Sequence, residues 1–377
     1  MTFPKLKIGE LVARVPIIQG GMGIGVSLSG LASAVANQGG IGVIATAGVG
    51  ILGSDRSMSY IEASIGNLRE EIRKAKKATS GILGVNIMVA LTNFADMVET
   101  SISEGVDLIF SGAGLPLDLP KYLKDGVKTK LVPIISSAKA ARIICKRWLS
   151  KYNKLPDAFV VEGPMAGGHL GFSTEQIDDP EYALKKIIPE VVDAVSSSEQ
   201  EKGVKIPVIA AGGIYTGEDI YEFLNLGAAG VQMGTRFVVT HECDADIEFK
   251  KTYIRANQDD LVIIQSPVGL PGRAIKNDYI SSIQNGSKKP FKCVYHCIKS
   301  CNCTDSPYCI ALCLANAKEG KFKGGFAFAG KNAWRVDRIL SVKELMESLE
   351  EEFNKVSDNW PSMRPMSNRE LRNAALL

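Results

Sequence analysis

From residue 16 to about 240, short apolar runs rich in Val and Ile alternate with stretches whose apolar positions recur every three to four residues. A run of four to eight apolar residues bounded by turn residues reads as a strand buried on both faces, and the intervening stretches read as amphipathic helices. The runs are "VPIIQGG" (15–21), "IGVIATAG" (41–48), "GILGVNIM" (81–88), "DLIFSGAG" (107–114), "KLVPIIS" (130–136), "AFVVEGP" (158–164), "IPVIAAGG" (206–213) and "GVQMGTRF" (230–237). Eight strands alternating with helices predict an α/β chain folded as a (β/α)8 TIM barrel; a doubly wound open sheet is the alternative.

Beyond residue 240 the pattern changes. Residues 1–240 read as the barrel and 241–377 as a mainly helical cap over its mouth, containing a Cys-rich segment. Within the cap, "EGKFKGGFAFAGKNAWRVDRILSVKELMESLEEEF" reads as a loop followed by an amphipathic helix capped at Ser341. The last residues, "PMSNRELRNAALL" (365–377), are a candidate subunit contact, which would make the protein a homodimer.

Nearly all eight runs end in Gly, Asn, Ser or another polar residue, at the edge where barrels of this kind carry out chemistry. "AAGGI" (210–214) and "QMGTRF" (232–237) sit where such barrels build a phosphate site from backbone N–H groups, which gives Gly212, Gly213, Gly234 and Thr235 as phosphate-binding candidates. Thr216 is the expected N-cap of the helix that follows, with Glu218 and Asp219 in its first turn. "QGGMG" (19–23) is another loop that lets a ligand approach backbone closely and adds Gly23, but it lacks the strand–turn–helix setting of a dinucleotide fingerprint.

Charge narrows the partners. Lys plus Arg number 44 against 41 Asp plus Glu, a formal charge of +3, which gives no electrostatic reason to expect nucleic acid or an anionic membrane. No segment has the roughly 20 unbroken apolar residues of a membrane span, and the first residues lack a signal-peptide pattern. The expectation is a cytoplasmic protein acting on a small molecule.

The motifs "PIIQGGMG", "GVNIM", "GAGLP", "EGPMAGGHLG", "PVIAAGGI", "GVQMGTRF" and "GRAIKN" occur in one order across roughly residues 10 to 280. As a set they resemble the nitronate monooxygenase (2-nitropropane dioxygenase) family, a group of flavin-dependent barrels that includes enoyl-acyl carrier protein reductases and some quinone reductases. The resemblance implies FMN over the barrel's C-terminal mouth with its phosphate on the loops after strands seven and eight. Carried over by motif, Gly21, Met22, Asn86, Glu162, Gly167, Gly168, Gly213, Gln232, Met233, Gly234 and Thr235 would contact it. Many relatives have Gln where this chain has Glu162.

His169, one of three histidines, follows a glycine pair and aligns with the histidine that the family places beside the flavin. Imidazole titrates nearest neutrality, so this is the candidate catalytic group, either removing a proton from a carbon acid or protonating a reduced substrate. The other reading is a helix cap or a loop hydrogen bond. His241 and His296 read as structural or metal-related. Ser136, Ser137 and Lys139 read first as a helix cap; Arg236, Arg273 and Lys276 are candidates for an anionic group, against an ion pair or a solvated turn.

Six of the eight cysteines lie between 293 and 313, in "CVYHCIKSCNCTDSPYCIALC". In a cytosolic chain this spacing argues for metal or redox chemistry before a disulfide framework, the alternatives being reduced buried thiols or reversible disulfides. Cys293, Cys297 and Cys301 would share one face if helical, and Cys303, Cys309 and Cys313 could close a site; Cys293, Cys297, Cys301 and Cys309 are the candidate set for an iron–sulfur cluster or zinc.

The leading expectation is an FMN-dependent nitronate monooxygenase that uses O2. The alternative is an NAD(P)H-dependent reductase of enoyl thioesters or quinones, and a non-redox phosphate-binding barrel is the alternative from another class.

Overall fold

The structure is a computed structural model that describes residues 3–53, 58–289 and 291–359. The proposed subunit-contact tail (365–377) lies outside the described residues. All eight expected strands form, in chain order Ile17–Gln19, Gly42–Ala45, Leu83–Met88, Leu108–Gly112, Lys130–Ile135, Phe159–Glu162, Val208–Ala211 and Gly230–Met233. They pair in parallel in one eight-stranded sheet, with the first strand beside the eighth. A parallel bridge between Ile18 and Ile41 joins the first strand to the second, and Gln19 Oε1 accepts the Val43 N–H (2.9 Å) across the seam. The open doubly wound sheet is thereby excluded.

Alternation along the strands decides which side chains fill the barrel. Ile18, Val43, Leu108, Phe110, Val132, Val160 and Ile209 point inward, forming one buried cluster with Leu6 and Ile8 of an N-terminal hairpin. Ile17, Ile44, Ile109, Leu131 and Phe159 point outward and pack against the surrounding helices. The core lies inside and around the strands, so their C-terminal ends are left to face a ligand.

The helices obey their caps. Thr216 and Asp219 form a reciprocal capping box at Gly217–Asn225, Ser137 accepts the Ala140 N–H at the start of Ala138–Tyr152, and Ser341 pairs reciprocally with Glu344. Helix Ser29–Asn37 has no cap of its own; Asp244 supplies one from far along the chain, accepting N–H groups from Leu28, Gly30 and Leu31 (2.7, 3.1 and 3.1 Å).

The C-terminal region departs from the mainly helical expectation. It contains helices Ile247–Arg255, Asp278–Gln284, Ile310–Lys318 and Val342–Asn359, but also an antiparallel ribbon, Leu261–Gln265 with Pro271–Ile275. Pro271–Ile275 pairs in turn with Gly168–His169, so the ribbon reaches back to the sixth barrel loop. The segment carrying Cys293, Cys297 and Cys301 is not helical, and His296 within it has a left-handed backbone (φ 43°), which breaks the expected helical face. Among the described residues no helix is long and apolar enough to cross a membrane.

Candidate active site

The C-terminal ends of the barrel strands and the inner face of the C-terminal region enclose a cavity of about 580 Å³. That is ample for a drug-sized ligand or cofactor. Gly21, Met22, Gly23, Asn86, Glu162, Gly167, Gly168, His169, Gly212, Gly213, Gln232, Met233, Gly234 and Thr235 all line it. Residues drawn from five different barrel loops therefore converge on one space.

Backbone shape at the rim explains two of the glycines. A Cβ on Gly21 would stand 2.3 Å from Asn86 Cβ, so the first loop can pass over the third strand only without a side chain. Gly213 has φ +88°, and a Cβ there would press on Met165 at 2.8 Å. Asn332 Nδ2 donates to Gly213 O (2.6 Å) and Gly330 N to Thr235 Oγ1 (3.3 Å), so the C-terminal region clamps both proposed phosphate loops from outside.

His169 sits at the meeting of barrel and ribbon. Its Nε2 lies 2.7 Å from Ser266 Oγ, and its ring meets Phe328 edge-on with centroids 5.0 Å apart. Burial lowers its pKa to about 4, so the imidazole is neutral at pH 7. Ser266 Oγ also accepts the Val268 N–H (3.4 Å), so the ribbon's own turn holds the hydroxyl beside the imidazole.

Glu162 ends the sixth strand, paired with Ala211, and its carboxyl has no hydrogen-bond partner among the described residues. It keeps some exposure because it faces the cavity, yet protein surrounds it, and burial raises its pKa to about 7. Two titratable groups on one wall are thus pushed in opposite senses, the carboxyl toward its neutral form and the imidazole to its neutral form.

Other sequence candidates fall elsewhere. Arg273 is neither a solvated turn nor an anion contact: it is buried and donates from Nη1 to Pro164 O and Ala166 O, both at 2.7 Å, holding the loop that leads to His169. Arg236 donates to Tyr215 O (2.9 Å), and its guanidinium lies over the Tyr215 ring, with Arg335 over the same ring. Ser137 is a helix cap that also lines the cavity. His241 is exposed and does not line the cavity, and its backbone N–H donates to Leu340 O (2.8 Å).

The expected iron–sulfur or zinc site is not formed: among the described residues no group of three or more His, Cys, Asp or Glu side chains is arranged to hold a metal ion. All eight cysteines are free. Of Cys293, Cys297, Cys301 and Cys309, Cys297 alone lines the cavity.

Sequence reading missed Ser266, Phe328 and the apolar wall built by Val268, Leu270, Ile298, Ile310 and Leu314. Ser266 is 97 positions from His169, and no local pattern connects them.

The family model described as nitronate monooxygenase matches residues 5–352. A 5-hydroxy-7a-methyl-1-oxo-octahydro-1H-indene-4-carboxyl-CoA dehydrogenase of Mycobacterium tuberculosis is 32% identical over 273 residues, covering 72% of this chain and 66% of that protein, just under two thirds of its length. A probable nitronate monooxygenase of Staphylococcus saprophyticus is 26% identical over 298 residues, covering 72% of this chain and 78% of the relative. Among solved structures, FabK from Thermotoga maritima matches with a TM-score of 0.71 at 27% identity, covering 92% of this chain and 95% of that one.

Proposed function

Because this chain belongs to the nitronate monooxygenase family and is an FMN-dependent oxidoreductase, we propose that it moves hydride between NAD(P)H and the uncharged acyl part of a thioester-type substrate. The residues present fit FMN: glycine loops that a Cβ would block, an apolar cavity, and the unpartnered Glu162 facing into it. Gly212, Gly213, Gly234 and Thr235 would hold its phosphate, with Gly21, Met22, Asn86 and Glu162 at the ring. When bound, FMN supplies the hydride chemistry that no side chain provides.

The charge of the cavity carries the substrate reading. Lys331 is the one Lys or Arg among the described residues that line it, and Lys331 is paired with Asp178 at 2.9 Å. A buried anion without a partner is costly, so a neutral alkene or carbonyl suits this space better than an anionic nitronate. His169, neutral and held by Ser266, would hydrogen-bond and orient the reacting carbonyl. Val268, Leu270, Ile298, Ile310 and Leu314 would receive an alkyl chain and exclude water. The Mycobacterium tuberculosis dehydrogenase, whose name specifies a carboxyl-CoA substrate, supports the same choice. A cytoplasmic setting belongs to this proposal, since eight free thiols suit a reducing compartment.

Nitronate oxidation with O2 is the second reading, favoured by the family model and by the probable nitronate monooxygenase of Staphylococcus saprophyticus. Anaerobic titration separates the two. NADH or NADPH should bleach the flavin absorbance of the purified protein and an enoyl-CoA should restore it. Bleaching by an alkyl nitronate, with no response to either nicotinamide, would replace the first reading with the second. A colourless protein that releases no flavin on heating would remove both.

A further inference from the structure

The cavity opens to solvent where Ala113, Gly114, Leu115, Ser137, Gly171 and Leu270, all exposed, line it. The Cys-rich loop forms one side of this opening. Leu91 and Ile298 form an antiparallel bridge, and Lys299 N donates to Ala90 O (2.9 Å). Lys299 Nζ reaches Val89 O (2.9 Å), and Val89 in turn abuts Gly114, where a Cβ would stand 3.3 Å from Val89 Cβ. On the other flank Ser300 Oγ donates to Val268 O (3.3 Å), two residues before Leu270. Residues 298–300 therefore run along the rim from the fourth barrel loop to the ribbon turn.

Positive charge gathers on this side. From 279 to 304 the chain has four lysines, Lys288, Lys289, Lys292 and Lys299, and no Asp or Glu. All four are exposed, and none is paired with a carboxylate among the described residues. Asp305, the next acid, already accepts from Asn302 Nδ2 (2.6 Å). The Lys299 ammonium spends one donor on Val89 O and rests over the Phe94 ring, so donors remain at a fixed place on the rim. Across the opening, exposed Lys139 stands in the first turn of helix Ala138–Tyr152, two residues after Ser137, and that turn carries no acid. Unpaired cations on one rim repel one another, and an anionic ligand relieves that repulsion.

The nature of the anion rests on the thioester reading. A CoA thioester joins a neutral acyl group to a handle that bears a diphosphate and a 3′-phosphate. The cavity holds no unpaired cation for these charges, since Lys331 is engaged with Asp178. Taking them inside would leave buried anions without partners, so the handle stays at the rim. We propose that Lys299 and Lys139 form a phosphate subsite that holds the nucleotide end of a CoA thioester while its acyl group enters between Leu115 and Leu270. Lys288, Lys289 and Lys292 add to the potential that steers the handle to this side. The subsite serves capture and affinity, and the chemistry stays with the groups inside the cavity.

The test compares a CoA thioester with the N-acetylcysteamine thioester of the same acyl group, which has no phosphate, on the flavin-loaded full chain. Lys299→Gln keeps a donor for Val89 O without the charge. Combined with Lys139→Ala, it should raise KM for the CoA thioester roughly 10-fold with kcat held, and the preference over the short thioester should fall by the same factor. Lys7→Ala, on the N-terminal hairpin, is the control and should leave that preference in place. Calorimetric titration with free CoA reads the subsite without turnover: affinity should fall similarly in the double variant and fall with added salt in the parent protein. Flavin content reports folding. Lysine-dependent CoA binding by a protein that turns over neither thioester would keep the subsite and remove the substrate reading. No CoA binding by the parent, unchanged CoA affinity in the double variant, a KM rise confined to NADPH, or a response confined to an acyl group carried on an acidic protein would each overturn the subsite.

Discussion

Ser266 Oγ lies 2.7 Å from His169 Nε2, and the ribbon strand paired with Gly168–His169 fixes that contact. The imidazole is therefore oriented by a residue from the C-terminal region, while its backbone belongs to the barrel. Ser266→Ala removes one hydrogen bond, worth about 1 kcal/mol net, so kcat/KM should fall roughly 3- to 10-fold with flavin content unchanged. His169→Ala should cost about 10²-fold or more in kcat at similar flavin content. Steady-state kinetics beside a flavin absorbance ratio check both, and full turnover by His169→Ala would take the imidazole out of the reaction.

Arg273 tests whether the loop before His169 needs its buried guanidinium. Arg273→Met would leave Pro164 O and Ala166 O without their shared donor, at a cost of roughly 2–5 kcal/mol. Lysine cannot reproduce a planar guanidinium spanning two carbonyls, so Arg273→Lys should recover only part of the loss. Urea midpoints for the three proteins measure this, and equal midpoints would show that the loop holds itself.

The barrel was legible because its signals are local: each strand is a short apolar run, and each glycine-ended rim lies next to it in sequence. The residues that line the mouth followed from those rims, from Gly21 to Thr235. Arg273 was misread because burial depends on what packs over it, and its carbonyl partners lie more than 100 positions away. The ribbon was missed for a related reason. Leu261–Gln265, with the sequence LVIIQ, has strand propensity, but its partner opens on Pro271 and Gly272, and the pairing with the sixth loop lies about a hundred positions away in sequence, so no local pattern closes the ribbon. The Cys293–Cys301 spacing suggested a helix, but the left-handed backbone at His296 ends any such face.

Gly21→Ala probes the close passage of the first loop over Asn86. The added Cβ would sit 2.3 Å from Asn86 Cβ, so one backbone must shift, at a cost of about 1–3 kcal/mol. Since both residues face the cavity, the variant should also purify with less FMN, whereas Gly66→Ala, whose Cβ meets nothing within 4 Å, should do neither. Thermal melts and flavin-to-protein ratios decide it; a fully flavinated Gly21→Ala would mean that the loop has slack.

Glu162 and His169 make opposite demands on the pH dependence of stability in flavin-free protein. Glu162 rises from 4.5 to about 7 on folding, so between those values the folded chain keeps a proton that the unfolded chain has released, and its contribution falls as pH rises. His169 drops from 6.5 to about 4, so in that window the unfolded chain holds the extra proton and stability rises with pH. From pH 4.5 to 6.5 the two nearly cancel. Glu162→Gln should expose the histidine slope, an increase of up to about 1.4 kcal/mol per pH unit. His169→Gln should expose the carboxylate slope, a decrease of similar size. Urea denaturation of both variants at pH 5 and pH 6 reads the signs directly, and slopes matching the parent protein would mean that neither group is desolvated by the cavity wall.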